Sequence, residues 1–471
     1  MHGHRYHVHL VTRRTVIISF FWNEPYLSRP SELMPFNTFR VSRCLVGSLL
    51  LCSVGCSSSE PGPGATGAGG QTQAAASVEL YSWWVAPGEA QALQGLMDAF
   101  TKKHPADTVQ NSGDSSRTAS RANLDTAFDS GNFPDVFQLN SQDLGPFVTA
   151  HPNQVSSLDE LFAAPATRAA FLPDVLDSVT LDGQVQLVPM AVPRESAFFY
   201  NMTIFSAQDL EPPATVAQLL STCATLKKAG ITPIALATGP SNGWVVREMF
   251  NGILQGTMGA ALFKDFITAA KPVTDPEISQ PLKAAIGTLA TIITQYINAD
   301  SASALDNGNT FGWTDAADEV KAGRAAMYIH GDWVKGYWTA LGWTPGVDFG
   351  QTGAPGAADL FFYGVDALGM PTNAPHPAGA QDFMTVAASA AGQVAFARSK
   401  GSSPARIDVG NQLDVLGKAT LEDLINAKVR LPVVDLAPWD KALGAFSISP
   451  CEGADQETLY QVYVDNPPPP Q

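Results

Sequence analysis

Apolar positions along this chain repeat first every second residue, then every three or four, and the two patterns alternate. Val78 to Trp84 (VELYSWW) interleaves β-branched and aromatic residues with polar ones and predicts a strand that enters a loop. From Glu89 to Lys103, Ala92, Leu93, Leu96, Met97 and Phe100 share one helical face, and His104-Pro105 stops the helix. A strand within residues 106–113, a helix from Ser120 to Phe128 and a buried strand from Pro134 to Asn140 follow. Strand, helix, strand, helix, strand at this spacing predicts a parallel sheet with crossover helices.

The pattern then loosens. Gln184 to Pro193 and Ser196 to Asn201 read as strands, and Pro189 with Pro193 marks a crossing segment rather than an interior strand. Ala214 to Lys228 is helical, with Val216, Leu219, Leu220 and Leu226 inward, and Ile231 to Ala237 is a strand ending in the loop 239–243. Helices fill residues 244–300, then a short helix (Ala316 to Gly323) leads to the strand Ala325 to Ile329. Residues 359–368 are strand-like, residues 378–399 and 411–427 are helical, and the proline-rich tail from Asn466 is unstructured. There is no internal repeat.

The first 77 residues fit none of this. Arg40 and Arg43 precede an apolar run that ends at Gly55-Cys56, and the run SSSEPGPGATGAGGQTQAAA follows. Positive, apolar, small residue, cysteine, floppy tether is the order of a bacterial lipoprotein signal. The run is too short to span a bilayer, which takes about 20 apolar residues. We expect residues 1–56 to be a signal peptide, Cys56 to carry the lipid, and residues 57–77 to be a flexible tether. Met34 opens a conventional signal of its own, so His2, His4, His7 and His9 are poor metal-ligand candidates.

Composition narrows the function. The chain carries 28 basic and 44 acidic side chains, a net charge of −16, which argues against a nucleic-acid partner. No CxxC, HExxH, P-loop or GxGxxG run occurs, so no metal and no cofactor is expected. Cys223 and Cys451, far apart in sequence, could pair or remain two buried thiols.

Candidate chemistry gathers at strand ends. Successive side chains on a strand face opposite ways, so Trp83 and Trp84 cannot both point inward. Ligands of open α/β sheets sit beyond such ends, and an indole offers a stacking face for a sugar ring. Gln138 and Asn140 share one face, and their amides both donate and accept, as hydroxyl groups do. Trp313 and Trp333 lie in loop-end segments, FGWTD and HGDW. Asp366 follows an apolar strand, where its carboxylate could accept from vicinal hydroxyls, and Lys400 could add a donor.

From Val78 to Tyr463 the chain resembles the extracellular solute-binding proteins of bacterial sugar ABC transporters (family 1). VELYSWWVAPGEAQALQGLMDAFTKKHP matches their opening, FPDVFQLN their P-D-x-x-Q strand, and LVPMAVPRESAFFYN their first crossover between lobes. The most specific run is GRAAMYIHGDW, of the form G-x-A-A-M-x-x-x-G-D-W. Glucose/mannose-binding proteins share the Trp-Trp opening and a Trp in an FGWTDAADEV-like segment. The resemblance implies a two-lobed periplasmic-binding-protein fold of type II, α/β, each lobe a mainly parallel sheet flanked by helices and joined by hinge crossovers. It implies lobes of residues 78–188 plus about 358–392 and residues 189–357 plus about 393–471. It further implies sugar contacts at Trp83, Trp84, Glu89, Gln138, Asn140, Trp313, Asp366 and Lys400, with Trp244, Arg194 and Trp333 behind them. There would be no catalytic residue. The cargo would be a monosaccharide or small oligosaccharide, and the partners ABC permease subunits, with a lipid anchor holding a monomer at the membrane. Two departures stand out: glucose binders carry a His at the position of Asn140 and another near RLPVVDLAPW, where Val433 and Asp435 stand.

The rival reading is a glycan-processing enzyme, in which Glu89 and Asp366 would be the paired carboxylates, about 5–10 Å apart. A surface lipoprotein binding another ligand is the third reading.

Overall fold

A computed structural model describes residues 76–113, 117–303, 310–434, 437–448 and 453–469. Cys56, the signal segment and most of the tether lie outside these residues, as do Asp435 and Cys451. Cys223 is a free thiol in the core, and burial pushes its pKa up to about 12.

β1 (Ser77–Tyr81) buries Val78 and Leu80 and stops just before the tryptophan pair. The helix Glu89–Lys103 follows with the predicted limits and turns Ala92, Leu93, Leu96 and Phe100 inward. β2 (Thr108–Asn111) and β3 (Val136–Asn140) pair with β1 in parallel, and the helix Arg117–Ser130 connects them. β4 (Thr180–Leu181) and β5 (Gln184–Val185) form a small hairpin. β6 (Leu187–Val192) leads to β7 (Ala197–Asn201), and β8 (Thr232–Ile234), β9 (Ala325–His330) and β10 (Phe349–Gly353) build a second sheet with β7. The chain returns through β11 (Leu360–Tyr363) to β12 (Asp366–Gly369), then reaches β13 (Ser403–Pro404) and β14 (Val429–Pro432).

The first sheet has the order β13-β6-β12-β3-β1-β2 and the second β10-β7-β9-β8. Both are mixed: β12 runs antiparallel to β3 and β6, and β7 antiparallel to β9 and β10. β6 is an interior strand, contrary to the crossing segment its prolines suggested. The reason is a register shift between Asp366 and Ala367, which lets Ala191 and Pro189 oppose them and skips Met190. At such a bulge a proline costs no ladder hydrogen bond.

Each sheet has its own core. Val78, Phe137, Val188, Ala367, Phe396 and Leu424 belong to the first, and Phe198, Ile234, Met249, Tyr328, Trp338 and Trp439 to the second. The chain passes between them at Pro193–Ser196, where three segments run side by side. The Glu195 amide donates to the Phe362 carbonyl (3.0 Å), the Gly364 amide to Pro193 (3.0 Å) and the Val433 amide to Tyr363 (2.7 Å). No helix among the described residues is long and apolar enough to cross a membrane.

Candidate ligand site

The first group of candidate residues is organised around a buried lysine. Lys400 ends the helix Ala390–Lys400, and its Nζ lies 2.6 Å from Glu89 Oε1 and 3.2 Å from Asp366 Oδ2. Burial alone would lower the pKa of this ammonium, but Glu89 and Asp366 outweigh it and hold Lys400 above the ordinary lysine range. Glu89 opens its helix. Burial raises the pKa of its carboxyl and Lys400 offsets only part of that. Asp366 begins β12 directly opposite Asn140, which ends β3. Asn140 is half-buried, and its Oδ1 has no protein partner.

Gln138, two residues back, is fully buried. Its Oε1 accepts from Ser82 Oγ (2.5 Å) and from the Trp83 amide (3.1 Å), while its Nε2 lacks a partner. Gln138 therefore shapes the Ser82–Trp83 turn. Ser82 was not a candidate; a serine between two aromatics carries no signal in sequence. The tryptophan pair divides as the strand geometry requires. Trp83 is half-buried, while Trp84 is buried against Phe396, ring centroids 4.6 Å apart, with Lys400 Nζ 5.8 Å from its ring. In this arrangement Trp84 forms the wall behind Lys400 rather than a free stacking face.

The second group surrounds an imidazole. His330 ends β9, and the rings of Trp244, Trp313 and Trp333 lie 5.2, 5.8 and 5.2 Å from its own. Tyr328 closes the cage at 5.0 Å. The three indoles are half-buried and the imidazole is completely buried. His330 Nδ1 accepts from the Gly331 amide (2.8 Å), which places the ring proton on Nε2, where no partner is found. Burial first, and Arg247 second, push its pKa down to about 3. His330 escaped the sequence reading, although its position between an apolar strand and Gly-Asp-Trp was visible.

Behind this cage lies a group that was also missed. Arg247 approaches Asp440 (2.6 Å), Glu248 (3.1 Å) and Glu195 (3.6 Å). Burial and the neighbouring Glu195 carry the pKa of Glu248 well above that of an ordinary glutamate. Arg194, a candidate, joins neither group. Its Nη2 donates to Asp423 Oδ2 (3.0 Å), and its guanidinium lies 4.3 Å over the Phe361 ring. It braces the crossing segment. Val433, where glucose binders were expected to carry a His, is buried beside the same crossing.

Backbone contacts bring the two groups close. Gly88, just before Glu89, packs on Gly336, three residues after Trp333, so that an added β-carbon at Gly88 would lie 2.5 Å from the Gly336 carbonyl carbon. Two surface hollows lie away from both groups. One of about 530 Å³ sits between Asp98–Lys103 and Val386–Ala395, and one of about 340 Å³ between Pro173–Asp177 and Ala427–Arg430.

Two α/β lobes, each with its own core and joined by three adjacent crossings, define the type II periplasmic-binding-protein fold. A solved chitin oligosaccharide binding protein has the same fold: TM-score 0.67 and 19% identity, over 83% of this chain and 99% of that one. The profile of the bacterial extracellular solute-binding proteins matches residues 86–394, and the chain belongs to that family. An ABC transporter extracellular-binding protein of Pyrococcus horikoshii is 28% identical over 406 residues, 83% of this chain and 86% of the relative. The xylose/arabinose-binding protein of Haloferax volcanii is 25% identical over 384 residues, 78% of each chain.

Proposed function

We propose that this protein is the sugar-collecting component of an ABC transporter. It would hold a neutral monosaccharide of the glucose/mannose type between its lobes and present it to membrane permease subunits. The observation that carries this reading is Lys400 locked between Glu89 and Asp366 beside Asn140, with three indoles on the facing lobe. Oriented charged groups serve hydroxyls, and indoles serve the apolar faces of a pyranose. The sign of the charge restricts the cargo further. Two carboxylates outnumber one ammonium, His330 is neutral, and Arg194 is committed to Asp423, so a sugar acid or sugar phosphate would meet repulsion. Of the proteins named above, one is a xylose/arabinose-binding protein and one a chitin oligosaccharide binding protein. Cys56 would anchor the protein through its lipid. Palmitate labelling lost on Cys56→Ser checks that, and labelling unchanged by the substitution would remove the anchor.

The test is titration with glucose, mannose, galactose and xylose, then maltose, raffinose and chitobiose, followed by tryptophan fluorescence and calorimetry. A saturable response to a monosaccharide without product is expected. Silence across the panel would sink the proposal, and release of reducing sugar from a glycoside would favour the enzyme. The geometry speaks against that rival, because Glu89 and Asp366 share one ammonium instead of flanking a cleavable bond.

Trp83→Ala and Asp366→Ala should each weaken sugar binding by about tenfold or more, roughly 1.4 kcal/mol per decade, without loss of folding. Unchanged affinity in both removes these residues from the site. Affinity should also fall on acidification at a pH above the ordinary glutamate midpoint, because burial raises the pKa of Glu89 and its protonation releases Lys400. A pH-independent affinity down to pH 4 would count against Glu89 as a contact.

A further inference from the structure

The turn His330–Gly336 does two things at once. His330 and Trp333 belong to the aromatic cage, whereas Asp332, Lys335 and Gly336 are tied to the crossing segment and the first lobe. Asp332 is completely buried; its Oδ2 accepts from the Arg194 amide (2.9 Å) and its own amide donates to the Arg194 carbonyl (3.1 Å). Those two bonds fix the turn to the crossing segment. Lys335, also buried, reaches Asp414 Oδ2 (2.8 Å). Asp414 caps the helix Val415–Asn426 by accepting from the Leu416 and Gly417 amides (3.0 and 2.9 Å), and Leu421 and Leu424 of that helix belong to the first core.

Gly336 makes the closest approach. A side chain there would overlap the Ser399 and Lys400 carbonyls, and one at Gly401 would overlap the Gly336 amide. Gly88 and Gly401 have φ of +87° and +93°, a backbone conformation that favours glycine. The placement of these glycines is informative. Gly88 precedes Glu89, Gly401 follows Lys400, and Gly336 lies one helical turn past Trp333. Every backbone contact of this junction thus adjoins a residue of the ligand site, and the segments it joins contribute to different cores: Val334, Tyr337 and Trp338 to the second, Leu93 and Phe396 to the first.

We propose that Lys335 and Gly336, with Gly88 and Gly401 opposite, are positioning residues that set sugar affinity without touching the sugar. Their contact holds the indole platform in register with the Glu89–Lys400–Asp366 cluster, so lobe contact and cargo binding are one event. This rests on the sugar reading above.

The test measures Gly336→Ala and Lys335→Met for affinity and dissociation rate with the sugar the wild type binds, for melting temperature, and for X-ray scattering with and without sugar. The proposal expects affinity to fall at least tenfold, mostly through faster release, and sugar-induced compaction to be lost or reduced. A lowered melting temperature with unchanged affinity and compaction would overturn it, since that is what plain packing does. If Gly336→Ala does not fold, Lys335→Met carries the same test alone. If the wild type binds no sugar at all, the functional reading fails. The positioning claim is then decided by ligand-free scattering: a larger radius of gyration in the variants supports it, and an unchanged one overturns it.

Discussion

Replacing Lys400 with methionine is expected to destabilise the protein by roughly 3–5 kcal/mol at pH 7, because it strands the buried Asp366 and the partly buried Glu89 carboxylates beside an uncharged chain. The same change should abolish sugar binding. Lys400 is 2% exposed, and it partners Glu89 and Asp366 through one ammonium. Without it, nothing offsets the burial that already raises the pKa of Glu89. A carboxyl whose folded pKa lies above its unfolded value of about 4.3 loses stability as pH rises through that interval. The deficit should therefore be larger at pH 7 than at pH 5. Urea unfolding at both pH values measures it, and a variant with wild-type midpoints would show that the triad is solvated and not structural.

The second large effect concerns pH and two buried groups of opposite sense. His330, with a folded pKa of about 3 against about 6.5 unfolded, contributes stability that is complete above pH 6.5 and lost as pH falls toward 3. The slope is about 1.4 kcal/mol per pH unit. Burial pushes Asp332 up to about 7, so its contribution is complete below about pH 3.9 and lost as pH rises to 7. Between about pH 4 and 6.5 the two oppose each other. His330→Phe keeps a ring in the cage and removes one slope: the wild type's advantage over it should shrink steadily below pH 6.5. Asp332→Asn keeps the acceptor for the Arg194 amide and should gain on the wild type as pH rises from 4 to 7. Parallel stability curves for wild type and both variants would refute the assignment.

Local patterning made much of the fold legible. The helix Glu89–Lys103 and the parallel β1–β2–β3 unit were readable because apolar period and stop signals agree there. β6 was not. Its fitness as an interior strand depends on β12, nearly 180 residues later, which supplies the register shift that accommodates Pro189. In the candidate site, Asn140, Asp366 and Lys400 were legible one by one as polar residues at element ends and Glu89 through the family resemblance, and the structure brings the four together. The burial of Trp84 was not legible, because a strand pattern says that one of two neighbours turns inward, not which. Arg194 looked like a donor for a ligand; its partner Asp423 lies 229 positions away. The His330 cage draws on three distant segments, and only tertiary packing assembles it.

The order of strands in the first sheet bears on how the chain reaches its fold. β6, β12 and β13 occupy one half of that sheet, and the whole second sheet is inserted between β6 and β12 in sequence. β3 therefore has no neighbour on its β12 side until more than 220 further residues have been made. Pairings at such separation carry a large loop-closure cost and slow folding. For a chain exported unfolded, the same strand order would keep the first sheet open until β12, which begins at Asp366, had emerged.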